Sequence, residues 1–295
     1  MKEFMKYLTP GKDDTNWGIY LNVAGKTIAP PGMEYPSPIH PSGYYFTWEY
    51  GRILHEYQVN YITVGGGVYE DQSGTYHLKA GTIIIVKPGV WHRYKPDNDL
   101  GWTENYLGFN GMIADHLFSS SELKSSRPII EVGYREEIID TYHSIFKSVK
   151  EEKPGFQQIS SGMVIKLLGH LTSIKKQKIF VETRIEKIIQ EACYMIRENY
   201  EKDIDFVEFA RQHNMAYSYF RNMFKLYTGL PLTKYQLGLR IIRAKELLLS
   251  TNKIIKEVCY EVGFESLYYF SRQFKNKVGV SPAKFRNAAK MNKSR

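Results

Sequence analysis

Cysteine is scarce in this chain, long apolar runs are missing, and there is no excess of acid. Only Cys193 and Cys259 occur among 295 residues, each alone in a helix-like segment and matching no metal-ligand spacing. They are expected to be buried thiols, not a disulfide framework or a zinc knuckle. No stretch reaches ~18 uncharged apolar residues, so no membrane-spanning helix is expected. The opening MKEFMKYLTPGKDDTNWG lacks the apolar core of a signal peptide, and a cytoplasmic protein without membrane contact is the expectation. A phosphate-cradling Walker loop, a G-x-S-x-G elbow and a convincing Cys–His pair are also missing, so no catalytic residue and no cofactor is assigned. Composition is that of an ordinary globular protein, at 43% hydrophobic and 24% charged residues, which excludes a disordered chain. The length is about twice the ~150 residues of one domain and suggests two.

Charge divides the chain further. Residues 1–180 hold 19 basic and 19 acidic side chains, whereas residues 181–295 hold 21 and 12, so the net +9 lies entirely in the C-terminal part. From Arg211 onward the balance is 17 against 4, or +13. One domain is built to meet a polyanion and the other is not. The charges are spread over several helical segments instead of lining one apolar helix, which favours nucleic acid over a membrane surface.

Residues 43–109 read as strands. YYFTWEY, YQVNYITV, GVYE, TYHL, TIIIVKPG, VWHRYK and WTENYLGF are short, rich in aromatic and β-branched residues, and separated by turn signals. Gly65-Gly66-Gly67 is read as one of those turns, since no helix follows it to make a phosphate cradle. This spacing predicts an antiparallel barrel or sandwich. The preceding APPGMEYPSPIHPSG carries five prolines and should be irregular. Apolar residues at 3–4 spacing predict helices over 136–150 and 156–172, joined by a Lys-Pro-Gly turn. This hairpin shows more Ile, Leu and Val than a barrel cap needs, so a homodimer through it, with Ile165 or Leu168 in the contact, is expected. Residues 1–173 then form the first domain, the polar stretch 174–182 a linker, and 183–295 the second domain.

The second domain contains a repeat. Tyr219-Phe220-x3-Phe224-Lys225-x3-Gly229 recurs 50 residues later as Tyr269-Phe270-x3-Phe274-Lys275-x3-Gly279. Each copy, at about 203–228 and 253–278, reads as a helix, a turn and a second helix. In the second copy Ile254, Ile255, Val258 and Val262 should form the apolar face of the first helix. Gly263-Phe264 should turn, and Ser266 should cap the second helix. Between the copies, residues 234–249 predict a continuous helix with Tyr235, Leu239, Ile242 and Leu247–Leu249 on apolar stripes. At ~1.5 Å per residue it is a ~24 Å strut. Two second helices held by it suit successive major grooves ~34 Å apart.

EVGFESLYYFSRQFKNKVGVSPAKFR resembles the signature of AraC/XylS-type transcription regulators, with Gly263-Phe264, Phe270-Ser271-Arg272, Phe274-Lys275, Gly279, Ser281-Pro282 and Arg286 in register. Arg240-x3-Ala244-x2-Leu247-Leu248 resembles that family's linker helix, and the likeness covers about residues 185–290. It implies two helix-turn-helix modules contacting double-stranded DNA through Ser218, Arg221, Asn222 and Lys225 in the first. In the second the corresponding positions are Leu267, Tyr268, Ser271, Arg272 and Lys275. Arg221 suits guanine and Asn222 adenine, while Leu267 and Tyr268 depart from polar base readers. An activator that meets RNA polymerase is also implied.

The strand-rich half resembles the cupin-like effector domain that often precedes such a unit, on Arg52, Gly81-Thr82-x5-Pro88-Gly89-x2-His92-x-Tyr94 and Trp102-x6-Phe109-x-Gly111. The whole fold is thus α+β, a cupin-like antiparallel barrel with a helical hairpin followed by an all-α tandem helix-turn-helix. The resemblance implies effector contacts at Arg52, His92, Tyr94, Glu104 and Tyr106, with the last two differing from the His and Trp of arabinose-binding members. Arg, Glu and Tyr suit the hydroxyls of a sugar-like effector. The alternative is a metal-dependent cupin enzyme fused to a DNA-tethering domain. Only His92 stands where such enzymes place ligands and no His lies between His55 and His77, so no metal site is assigned. A third reading is an architectural DNA binder without effector.

Overall fold

Every residue of the run Thr82–Val86, TIIIV, is buried. A strand apolar on both faces belongs inside a sheet that is covered on both sides. The computed structural model describes residues 3–35, 44–120, 122–124, 127–180 and 184–293. They form two compact units, Met1–Gln177 and Lys178–Arg295.

In the first unit the strands are β1 (Phe4–Tyr7), β2 (Tyr20–Ala29), β3 (Arg52–Ile53), β4 (Tyr57–Asp71), β5 (Gly74–Lys79), β6 (Thr82–Val86), β7 (Trp91–Pro96), β8 (Trp102–Asn110) and β9 (Ile129–Glu131). The helices are α1 (Lys12–Asn16), α2 (Met112–Ser120), α3 (Glu136–Glu151) and α4 (Phe156–Phe180). All strand pairs are antiparallel, in the order β1-β2-β8-β4-β6-β9, with β5 and β7 on the far half of β4 and β3 on β7. The outer face, with Leu21, Val59, Tyr61, Ile83 and Leu107, packs under α2, α3 and α4. The inner face, with Ile62, Ile84, Val86, Tyr94 and Trp102, closes on itself. The antiparallel fold expected from the sequence is present.

Several local expectations fail for physical reasons. YQVNYITV and GVYE are one strand, not two, and Gly65–Gly67 is no turn. The three glycines sit inside β4 where it passes from partners β6 and β8 to partners β5 and β7. A Cβ at Gly65, Gly66 or Gly67 would collide with the carbonyls of Gly101, Leu78 and Lys95. Glycine here permits close backbone approach. YYFTWEY is irregular instead of a strand, because its aromatic rings pack singly against neighbours rather than alternating across a sheet. Strands β1 and β2 were not foreseen. Helix α4 runs through the expected linker as far as Phe180, since Lys and Gln are good helix formers and Ile174 extends the buried stripe Val164, Leu167, Leu168, Leu171. Leu168 belongs to that stripe, whereas Ile165 is exposed. Residues 181–183 and the prolines at 36, 38 and 41 lie outside the described residues.

The second unit is helical: α5 (Arg184–Glu198), α6 (Phe206–Gln212), α7 (Tyr217–Thr228), α8 (Leu232–Ser250), α9 (Ile255–Glu261), α10 (Leu267–Val278) and α11 (Pro282–Lys293). Helix α6 is capped by Asp205, which accepts from Val207 N and Glu208 N at 3.0 and 2.9 Å. Ser266 caps α10 through Tyr269 N at 3.3 Å, and such caps contribute about 1 kcal/mol each. Phe220 and Phe224 fill one core, Phe270 and Phe274 another, and all four are fully buried. The buried stripe of α8 is Ile241, Ala244, Leu247 and Leu248. Ile242 and Leu249, expected on apolar faces, lie one residue further round and are exposed. Ile254 is exposed as well, as the extended residue just before α9.

Candidate functional site

Alternation along the strands builds a polar interior. Gln58 and Asn60 of β4, His92 and Tyr94 of β7, and Glu104 and Tyr106 of β8 are spaced two apart and buried. Register sets Asn60 opposite Tyr106 and Arg52 of β3 opposite His92. The Arg52 guanidinium donates to Tyr94 Oη (2.5 Å), to the Tyr44 carbonyl (2.5 Å) and from Nε to His92 Nε2 (3.2 Å). It also lies over the rings of Phe46 and Tyr94, at 4.9 and 5.1 Å. Asn60 Nδ2 links Tyr94 Oη (3.4 Å) to Glu104 Oε1 (2.8 Å), and Tyr35 Oη donates to Glu104 Oε2 (3.2 Å). Below them Glu56 accepts from Tyr44 Oη (3.0 Å) and Gln58 Nε2 (2.9 Å).

Charge in this interior is held down by burial. It pushes the Glu104 carboxyl up to about 7, against the opposing pull of Arg52 and the hydrogen bonds from Tyr35 and Asn60. Burial, with Arg52 adding to it, pushes His92 down to about 4, so the imidazole is neutral near pH 7. Because Nε2 accepts from Arg52, the proton sits on Nδ1 and faces the Val90 carbonyl at 3.0 Å. Burial also raises Glu56 and the hydroxyls of Tyr94 and Tyr106. What remains open is a cavity of about 20 Å³, lined by Tyr35, Tyr44, Phe46, Arg52, Tyr94, Glu104 and Tyr106 among others. That volume holds roughly one water. Among the described residues, no three His, Cys, Asp or Glu side chains are grouped to hold a metal ion.

In the second unit, α7 turns Phe220 and Phe224 inward and leaves Ser218, Arg221, Asn222 and Lys225 exposed along one side. Helix α10 repeats this with Phe270 and Phe274 inside. Leu267, Tyr268, Arg272 and Lys275 are exposed and Ser271 is half-buried. Tyr268 stands 76% exposed, with the Arg272 guanidinium 6.0 Å from its ring and 5.6 Å from that of Tyr269. An aromatic ring held there next to a cation is free to meet a partner surface.

Comparison with known families agrees with both halves. A family model described as an AraC-like ligand binding domain matches residues 39–168, and one described as a helix-turn-helix domain matches residues 209–288. The chain belongs to the AraC family. It is a transcription regulator with a DNA-binding helix-turn-helix domain and a ligand-binding domain. It is 27% identical over 254 residues to the lactose operon transcription activator of Staphylococcus xylosus, covering 85% of this chain and 88% of that one. It is 23% identical over 247 residues to the raffinose operon transcriptional regulatory protein of Pediococcus pentosaceus, covering 82% and 89%. Among solved structures, the C-terminal domain of the response regulator AraT from Geobacillus stearothermophilus is similar, at 31% identity and a TM-score of 0.34, over 36% of this chain and 88% of that domain. No helix of the described residues is long and apolar enough to cross a membrane.

In this AraC-family chain, all five residues expected at an effector site come together, directly or through Asn60. The sequence reading missed Tyr35, Tyr44, Phe46 and Gln58, which line the cavity, and Glu56 and Asn60, which hydrogen-bond the lining residues Tyr44, Gln58, Tyr94 and Glu104. The polar residues at 56, 58 and 60 alternate with Tyr57, Val59 and Tyr61, which is a readable sign of a polar interior. Tyr35 and Tyr44 leave no such sign, because irregular backbone carries no period.

Proposed function

We propose that the barrel interior binds a neutral, hydroxyl-rich small molecule of sugar type and that its occupancy biases how the helical unit meets DNA. One observation carries this reading. The amide oxygens of Gln58 and Asn60 are buried without a donor among the described residues, beside Arg52, Glu104 and a wall of aromatic rings. An acceptor-rich, aromatic-lined space is matched by a ligand that brings hydroxyl donors and an apolar ring face. The relatives named for lactose and raffinose operons support the same class. Such a ligand needs far more than one water's volume, so it takes over the place of the Tyr35 hydroxyl on Glu104 and of the Tyr44 carbonyl on Arg52.

In this reading residues 1–173 sense and dimerise, 174–182, helical as far as Phe180, connect, and 183–295 bind DNA through the modules at 203–228 and 253–278. Ser218, Arg221, Asn222 and Lys225 face one major groove, and Leu267, Tyr268, Ser271, Arg272 and Lys275 the next. The regulator works in the cytoplasm as a homodimer and activates through RNA polymerase. The test is thermal melting of the full chain against a panel of mono- and oligosaccharides. At least one should raise the melting temperature in a saturable way. Arg52→Ala should then raise the half-saturating concentration ~5- to 100-fold, the loss expected when a buried hydrogen-bonding partner is removed. If no sugar shifts the melt, or the Arg52 variant saturates as the parent does, the sugar reading fails.

A further inference from the structure

The two cores of the helical unit share no buried residue: Ile185–Leu232 supply one and Ile241–Phe274 the other. In the middle of α8, where Leu239 packs on the first core and Leu237 on the second, polar side chains reach across between the modules. The half-buried Arg240 guanidinium donates to the carbonyls of Tyr200 (Nε, 2.6 Å) and Lys202 (Nη2, 2.9 Å), which lie in the turn between α5 and α6. Its Nη1 donates to the carbonyl of Gly263 at 2.6 Å, in the turn between α9 and α10. One helical turn earlier, Gln236 Nε2 grips the same first turn, at 3.0 Å to Tyr200 O and 2.7 Å to Lys202 O. The turns touch: Gly263 has φ +84°, and a Cβ there would run into the backbone of Glu201.

We propose that Arg240 is a positioning residue that locks one module against the other and so sets the spacing at which α7 and α10 engage DNA together. A planar guanidinium with five donors in fixed directions can hold carbonyls from two separate turns at once, and no other side chain offers that geometry. The backbone groups it holds belong to turns and not to regular elements, and Arg240 is the side chain that bonds both of them, whereas Gln236 bonds only the first. The proposal rests on the reading that both helices enter DNA.

The test uses the full chain and a randomised duplex library. Selection on the parent protein should return, in the half-site of each protomer, two conserved elements at one spacing. Inserting one base pair between them should weaken binding about 100-fold, because a rigid pair cannot then engage both elements. Arg240→Ala should bind the selected duplex about 10-fold more weakly, yet differ by less than about 3-fold between the two spacings. Arg240→Lys, which keeps the charge and the apolar stem, should fold as the parent and lose spacing discrimination in the same direction. A merely structural arginine would weaken every spacing alike, so equal losses overturn the proposal. It is also overturned if Arg240→Lys discriminates like the parent, whatever the folding of the alanine variant. Selection of one element instead of two would overturn the two-helix reading itself, and the lock with it.

Discussion

Glu104 is 2% exposed, yet its neighbours at hydrogen-bond distance are a phenol and an amide, not a cation. Its carboxyl therefore sits at about 7 when folded and at an ordinary 4.5 when unfolded. Between those values the folded state binds more protons than the unfolded one, so stability falls as pH rises, by about 3 kcal/mol in all. His92 works the other way: its depressed value gives stability that is full above 6.5 and is lost as pH falls toward 4. Glu104→Gln removes the first effect alone. Thermal melts should show this variant gaining on the parent as pH is raised from about 5 to about 8, and a gap that stays constant would place Glu104's charge elsewhere. The same chemistry limited what could be foreseen at this scale. Arg52 and Tyr94 were legible because their types and strand positions resemble those of a known effector site, and Glu104 through its strand position alone. Tyr35 and Tyr44 were not, because neither sits in a strand, where alternation would mark a side chain as facing inward.

At the scale of elements, helix α4 shows how burial partitions a run of apolar residues. Val164, Leu167, Leu168, Leu171 and Ile174 close the outer face of the sheet, and Gln157 forms a reciprocal pair with the Leu21 backbone at 3.1 and 3.0 Å. Ile159 and Ile165 are left exposed, at 57% and 39%. The proposed dimer therefore rests on these two and not on Leu168. Ile165→Glu should give a monomer with an unchanged circular dichroism spectrum. Leu168→Glu should lose several kcal/mol of stability instead, through a charge forced into an apolar core. Sedimentation that finds Ile165→Glu still dimeric would move the interface off this face. Sequence had little difficulty with elements whose period is regular. The helical repeat showed itself because aromatic pairs four apart recur at a separation of 50. Where two sheets share one strand, as at Gly65–Gly67, the glycines look like punctuation until the crossing carbonyls are placed beside them.

For the whole molecule, the division of charge remains the most economical statement of what each unit meets. The buried polar groups of the first unit's interior bond to one another, while the second unit carries the surplus of +13 from Arg211 onward, with Arg221, Lys225, Arg272 and Lys275 exposed on its two second helices. If these helices lie in adjacent grooves, binding must release counterions from the phosphates they neutralise. The most direct check is the affinity of the full chain for its selected duplex as a function of salt. With roughly four phosphates met by each protomer, affinity should fall at least about 100-fold between about 50 and 200 mM, and Lys225→Ala should flatten the log–log slope by about one per protomer. Affinity that does not change with salt, or a slope that Lys225→Ala leaves unaltered together with Arg221→Ala and Arg272→Ala, would contradict DNA reading through α7 and α10.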